Sequence, residues 1–173
     1  GLGQDPQQLG LQLRSFGLDL IHNAGRFERL VQKPLELVLT WADGEKAVTS
    51  VSHYAKMRSQ QKTFRRKLLL LSAPNKRGDA YIQAMGASTG SFDQVFCAEW
   101  YLAEPSIRAT GEVPILLKEG VVSQGSVAPK AIVMGPEFEA AKAFVSALQP
   151  GDLAVVSSFD TKNMRQCLLK AYD

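Results

Sequence analysis

The stretch that most constrains this chain is residues 67–86, KLLLLSAPNKRGDAYIQAMG. Four consecutive leucines, Leu68 to Leu71, form an apolar run too short for a helix and without the alternation of a half-buried strand. Such a run predicts a strand covered on both faces, which places it in a parallel sheet. Ser72-Ala73-Pro74-Asn75 breaks the run, and Lys76-Arg77-Gly78-Asp79 makes a charged turn. Ala80, Ile82 and Met85 then resume at helical spacing. A strand, a polar turn and a helix are half of a βαβ unit. In open α/β sheets ligands bind beyond the carboxyl ends of the strands, where this turn falls.

The rest of the chain repeats the pattern. Strands are expected over residues 27–31, 35–41, 68–73, 92–98, 130–134 and 153–157. Helices are expected over 45–60, about 77–85, 111–122, from 135–136 through Leu148, and from Asp160 to about 171. From residue 35 onward strand and helix alternate five times. The fold class this implies is α/β and Rossmann-like: a mostly parallel sheet of about six strands with helices on both faces. A short helix precedes it. Asp5-Pro6 starts that helix, Leu9, Leu13 and Phe16 form its stripe, and Gly17 ends it. Residues 18–25 read as a linker. The chain begins Gly1-Leu2-Gly3 without a Met, and the expectation is a piece of a longer protein whose preceding domain ends in this helix.

Several function classes lose their support. The net charge of +3 lacks the basic clustering of a nucleic-acid binder, the one basic run being Lys62, Arg65, Arg66 and Lys67. No apolar run approaches the roughly 20 residues of a membrane helix. Neither G-x-G-x-x-G after a strand, nor a Walker A sequence, nor G-x-S-x-G occurs. His22 and His53 have no Cys or His at ligand spacing, so no metal site is expected. Cys97 and Cys167 read as buried thiols of a reducing compartment, and the expected location is cytoplasmic. What remains is a set of strand-end loops carrying Asp43, Glu45, Lys76, Arg77, Asp79, Glu99, Glu104 and Asp160. Mixed charges there suit a polar or zwitterionic ligand, or a phosphate held by Arg77 and a helix N-terminus.

The order of these motifs resembles the C-terminal domain of the Mur ligase family, in particular its cyanophycin-synthetase-like branch. Residues 2–16, LGQDPQQLGLQLRSF, resemble the last helix of that family's central ATPase domain, and residues 23–30, NAGRFERL, resemble the linker that follows. Thr40-Trp41-Ala42-Asp43-Gly44-Glu45 falls where the family has Asp-Tyr-Ala-His-Asn-Pro, with the small Ala42 kept and the Asp and His replaced. Pro74, Arg77 and Asp79 map onto a Gly-x-Pro-Gly-Asp-Arg-Arg-Asp run. Gly111-Glu112, LLKEG at 116–120 and Gln149-Pro150-Gly151-Asp152-Leu153 match the family's later motifs.

The resemblance implies a domain boundary, with residues 1–25 as the end of a central domain plus linker and 26–173 as the C-terminal-type domain. It implies an ATP-dependent ligase that joins an amino acid to a carboxylate through an acyl-phosphate, with ATP and Mg bound mainly by a domain outside this chain. Arg26 and Asp43 would face the nucleotide. Lys76, Arg77, Asp79, Glu99 and Glu104 would face the incoming substrate, a small amino acid or peptide-like molecule. The upstream ATPase domain would be the partner, and the chain alone would be inactive. A second reading stays open: a catalytically degenerate domain used for binding or assembly, motivated by the replaced Asp and His and by Trp100-Tyr101.

Overall fold

A computed structural model describes residues 27–100 and 108–172 of the chain. Six strands form one sheet in the order β1-β2-β6-β3-β4-β5. They are β1 (Glu28–Val31), β2 (Glu36–Thr40), β3 (Lys67–Pro74), β4 (Gln94–Trp100), β5 (Lys130–Pro136) and β6 (Leu153–Ser157). Only β1 runs antiparallel, against β2, while β2, β6, β3, β4 and β5 are mutually parallel. The helices are α1 (Glu45–Gln61), α2 (Asp79–Ala87), α3 (Glu112–Val122), α4 (Glu137–Ser146) and α5 (Thr161–Tyr172), with a 3-10 turn over Gly125–Val127. This is the expected α/β, mostly parallel, six-stranded arrangement. The expected leading helix, the linker and Arg26 lie outside the described residues, as does Glu104.

The leucine run behaves as its pattern requires. Leu68, Leu69, Leu70 and Leu71 are all fully buried. Leu69 and Leu71 face α1, α2 and α3, packing in one core with Val51, Ile82 and Leu117. Leu68 and Leu70 face α4 and α5, packing in the other with Phe144 and Met164. Each leucine removed from water on folding contributes roughly 2 kcal/mol, so β3 stabilises both layers at once. Helices therefore cover both faces of the sheet, α1 to α3 on one side and α4 and α5 on the other.

Among the boundaries that differ from the sequence expectation, three show their physical cause. Helix α2 starts at Asp79 rather than near Arg77, because the Arg77 N–H closes a turn on the Pro74 carbonyl at 3.3 Å. Strand β4 starts two residues late, since Phe92 N–H is held by Thr89 O. It also runs on through Glu99 and Trp100, because β3 keeps pairing as far as Pro74 opposite Trp100. Glu99, expected in a loop, is thus a strand residue.

Helices α2 and α3 approach each other through two glycines. A Cβ on Gly86 would fall 2.1 Å from Leu117 O, and one on Gly120 would fall 2.0 Å from Gln83 O. No other residue fits at either position without separating the helices, so the contact is backbone against backbone.

Candidate functional site

The carboxyl ends of β2, β3, β4 and β6 open on a cleft of about 350 Å³ lined by Trp41, Asp43, Pro74, Lys76, Arg77, Trp100 and Phe159. The strand order explains the convergence. Strand β6 enters the sheet between β2 and β3 after the chain has built β4 and β5, so four strand ends from distant parts of the sequence meet at one edge. That edge is where α/β folds bind ligands.

One wall is polar. Arg77 Nη2 donates to Asp43 Oδ2 at 2.6 Å, and the Tyr81 hydroxyl donates to Asp43 Oδ1 at 2.6 Å. The Arg77 guanidinium also lies 5.0 Å from the centre of the Tyr81 ring. Burial, followed by the bond to the Asp43 carboxylate, raises the Tyr81 hydroxyl above its usual range. Gly44 makes this possible locally. It turns the chain into α1 with φ at 90°, and a Cβ there would sit 2.7 Å from the Tyr81 oxygen. The Arg77 side chain remains 46% exposed, so it can reach a ligand without leaving Asp43. Behind it, Arg108 donates to the Arg77 carbonyl, to Asp79 and to Glu112. The bond to Asp79 is the chief cause of the raised pKa of Arg108.

The opposite wall is aromatic. Trp100 and Phe159 stack with centroids 5.0 Å apart and planes 14° from parallel, and Trp41 meets Phe159 edge-on at 6.3 Å. Phe159 is held by the β6–α5 turn. There Asp160 caps α5, its Oδ1 accepting the Asn163 N–H at 3.1 Å, as its sequence position implied.

Next to the cleft, at the same sheet edge, Glu137 is 2% exposed. Its carboxylate accepts from Ser72 Oγ at 2.7 Å and from Ser158 Oγ at 3.2 Å. Among the described residues no cation pairs with it. Burial pushes its pKa up to about 7, against the lowering effect of the two hydroxyls. The Ser72 hydroxyl also reaches Ser157 O at 3.0 Å. A single hydroxyl proton cannot serve both acceptors fully, and a protonated Glu137 relieves that competition by donating to Ser72 Oγ. The buried Asn75 amide and Ser157 hydroxyl have no hydrogen-bond partner within the described protein.

The residues singled out by sequence divide. Asp43, Lys76 and Arg77 come together in the cleft. Asp79 pairs with Arg108 and does not line it. Glu99 is 1% exposed and accepts the Gly111 N–H with both oxygens, at 2.9 and 3.1 Å, so it shapes the start of α3. Arg26 and Glu104 are outside the described residues. Sequence reasoning missed Tyr81, Phe159, Arg108 and Glu137. Tyr81 sits one position off the apolar stripe of α2, a signal present but not used. Glu137 carries no local signal, since an acid in the first turn of a helix is ordinary. Its burial depends on Ser72 and Ser158, far away in the chain. No three His, Cys, Asp or Glu side chains of the described residues group to hold a metal ion, and Asp43 is already bonded to Arg77 and Tyr81.

No protein-family model matches the sequence, and no curated protein matches it significantly. Solved structures do. A murein peptide ligase from Psychrobacter arcticus is 13% identical with a TM-score of 0.61, over 86% of this chain and 30% of its own. A UDP-N-acetylmuramate–alanine ligase from Thermotoga maritima is 11% identical with a TM-score of 0.58, over 94% and 35%. Escherichia coli FolC, solved in complex with ADP, is 19% identical with a TM-score of 0.57, over 92% and 37%. The chain thus spans about a third of these proteins, and its fold is that of a Mur ligase C-terminal domain.

Proposed function

We propose that this chain is the closing domain of an ATP-dependent acid–amino-acid ligase, of the branch nearest cyanophycin synthetase, and that its cleft takes the incoming amine-bearing substrate. The observation that carries the reading is the meeting of Asp43, Lys76 and Arg77 with strand ends of β3, β4 and β6 in one cleft, at the edge where such folds bind ligands. The half-exposed Arg77 guanidinium offers planar, charge-assisted donors to a ligand carboxylate. In such a ligase ATP phosphorylates the acceptor carboxylate, ADP leaves, and the amine displaces phosphate from the acyl-phosphate. Arg26 toward the nucleotide phosphates, Mg supplied by an upstream ATPase domain, and a cytoplasmic setting belong to the same reading. Among the described residues no helix is long and apolar enough to cross a membrane.

The test uses the full-length protein. ADP release should depend on both an acceptor and an amino acid. Arg77→Ala should lower kcat/KM for the amino acid about tenfold or more while leaving the KM for ATP within twofold. An unchanged kcat/KM removes Arg77 from the site, and ATP-dependent amide formation by residues 1–173 alone overturns the closing-domain reading. A second reading, a degenerate binding module, is favoured by the aromatic wall of Trp41, Trp100 and Phe159, since partly exposed aromatics are common interface anchors. Absence of ADP release with any amino acid would favour it.

A further inference from the structure

We infer that the substrate entering this cleft carries an aromatic or other planar apolar side chain, and that Trp41, Trp100 and Phe159 select it. The inference rests on the closing-domain reading and narrows its substrate class. The cleft is small, about 350 Å³, near the lower end of the roughly 300–1,000 Å³ of small-molecule sites. A single amino acid fits that scale.

The two walls divide the work. Lys76 and Arg77 lie on the polar side with Asp43, so the α-carboxylate and the amine of an amino acid both find a group of opposite charge. A ligand held there directs its side chain toward the stacked pair of Trp100 and Phe159. A planar side chain extends that stack at offset-stacking distance, and Trp41 closes the edge. An acidic side chain would have to turn back to the polar wall, away from the rings, to meet Lys76 or Arg77. A basic side chain would need a further carboxylate. Among the described residues lining the cleft, Asp43 is the only acid, and it is bonded to Arg77 and Tyr81. A charged side chain pressed onto the stacked rings of Trp100 and Phe159 would be desolvated there, which disfavours it beside a planar apolar one.

The chain contains two tryptophans, and both line this cleft. Its intrinsic fluorescence therefore reports on the site directly. Titration of residues 1–173 with L-phenylalanine should shift the tryptophan emission saturably, with a Kd about tenfold or more below those of L-glutamate, L-lysine and L-alanine. Phe159→Ala should collapse that preference to within about threefold, and Phe159→Tyr should retain it. Equal or tighter binding of glutamate or lysine overturns the inference while leaving the ligase reading intact. A preference unchanged in Phe159→Ala overturns it as well. If ADP shifts the emission and no amino acid does, the aromatic wall stacks a nucleotide base and the inference fails. If phenylalanine binds but the full-length protein releases no ADP with any amino acid, the ligase reading fails and the specificity of the cleft stands.

Discussion

The two ends of the parallel sheet treat buried carboxylates in opposite ways. At the amino end, Glu36 is 3% exposed and grips Arg58 with both oxygens, at 2.9 and 2.6 Å, with Tyr54 donating a third bond at 3.1 Å. Burial alone would raise the Glu36 pKa, but the bonds and charge of Arg58 outweigh it and hold the carboxyl below its usual range. Asp152, fully buried before β6, takes Arg66 in the same fork at 3.1 and 2.5 Å and also accepts the Gln149 N–H at 2.9 Å. At the carboxyl end, Glu137 has two hydroxyls and, among the described residues, no cation. Asn75 and Ser157 have unmatched polar atoms there, and Arg77 of the Arg77–Asp43 pair stands half in solvent. Groups at the amino end are saturated and hold the sheet's start in register. Glu137, Asn75 and Ser157 at the carboxyl end keep bonding capacity, as expected of an edge that meets a ligand, while Glu99 there is tied to the Gly111 N–H.

The contrast is sharpest at Asp152. Asp152→Ala strands a partly buried guanidinium and frees the turn before β6, so urea denaturation should show a loss of about 3 kcal/mol or more. A loss under about 1 kcal/mol would make the amino end no more committed than the carboxyl end. Glu137 should behave in the reverse sense. Its folded pKa of about 7 lies above the ordinary 4.5, so the folded state binds the proton more tightly. The associated stability is present below pH 4.5 and is lost as pH rises through 7, to a total of about 3 kcal/mol. Glu137→Gln should therefore match the unmodified chain near pH 4 and exceed its stability by up to about 3 kcal/mol at pH 8. Parallel pH profiles for the two proteins would show that Glu137 is ionised in the fold and matched like Glu36. The smallest effect is expected at Asn75. Removing a polar group that has no partner forfeits no hydrogen bond, so Asn75→Ala should change stability by less than about 1 kcal/mol. A larger loss, seen by the same denaturation, would reveal a partner and place Asn75 with the amino-end groups.

The scaffold was legible in the sequence because its determinants are local. A run such as Leu68 to Leu71 fits only a strand covered twice, and Asp160 marks a helix start wherever it is read. Sheet order was not local, and with it went the membership of the site. Nothing in the neighbourhood of Phe159 announces that β6 lies between β2 and β3, yet that insertion is what stacks Phe159 on Trp100. Glu99 failed for a related reason: its loop assignment assumed that β4 ended with its apolar run, whereas pairing with β3 carried it two residues further. Asp43 and Arg77 were found as loop charges, but their bond to one another across 34 positions required the fold.

The glycine contact between α2 and α3 has a mechanical consequence. Two helices that touch through their backbones cannot slide or roll independently, because any such movement drives a carbonyl into the facing chain. Arg108 fastens the other end of the pair, bridging the Arg77 carbonyl and Asp79 at the start of α2 to Glu112 at the start of α3. The two helices form one stiff lever with Arg77 near its tip. A load applied to the outer surface of α3 is passed across to the start of α2, beside Arg77, rather than absorbed between the two helices.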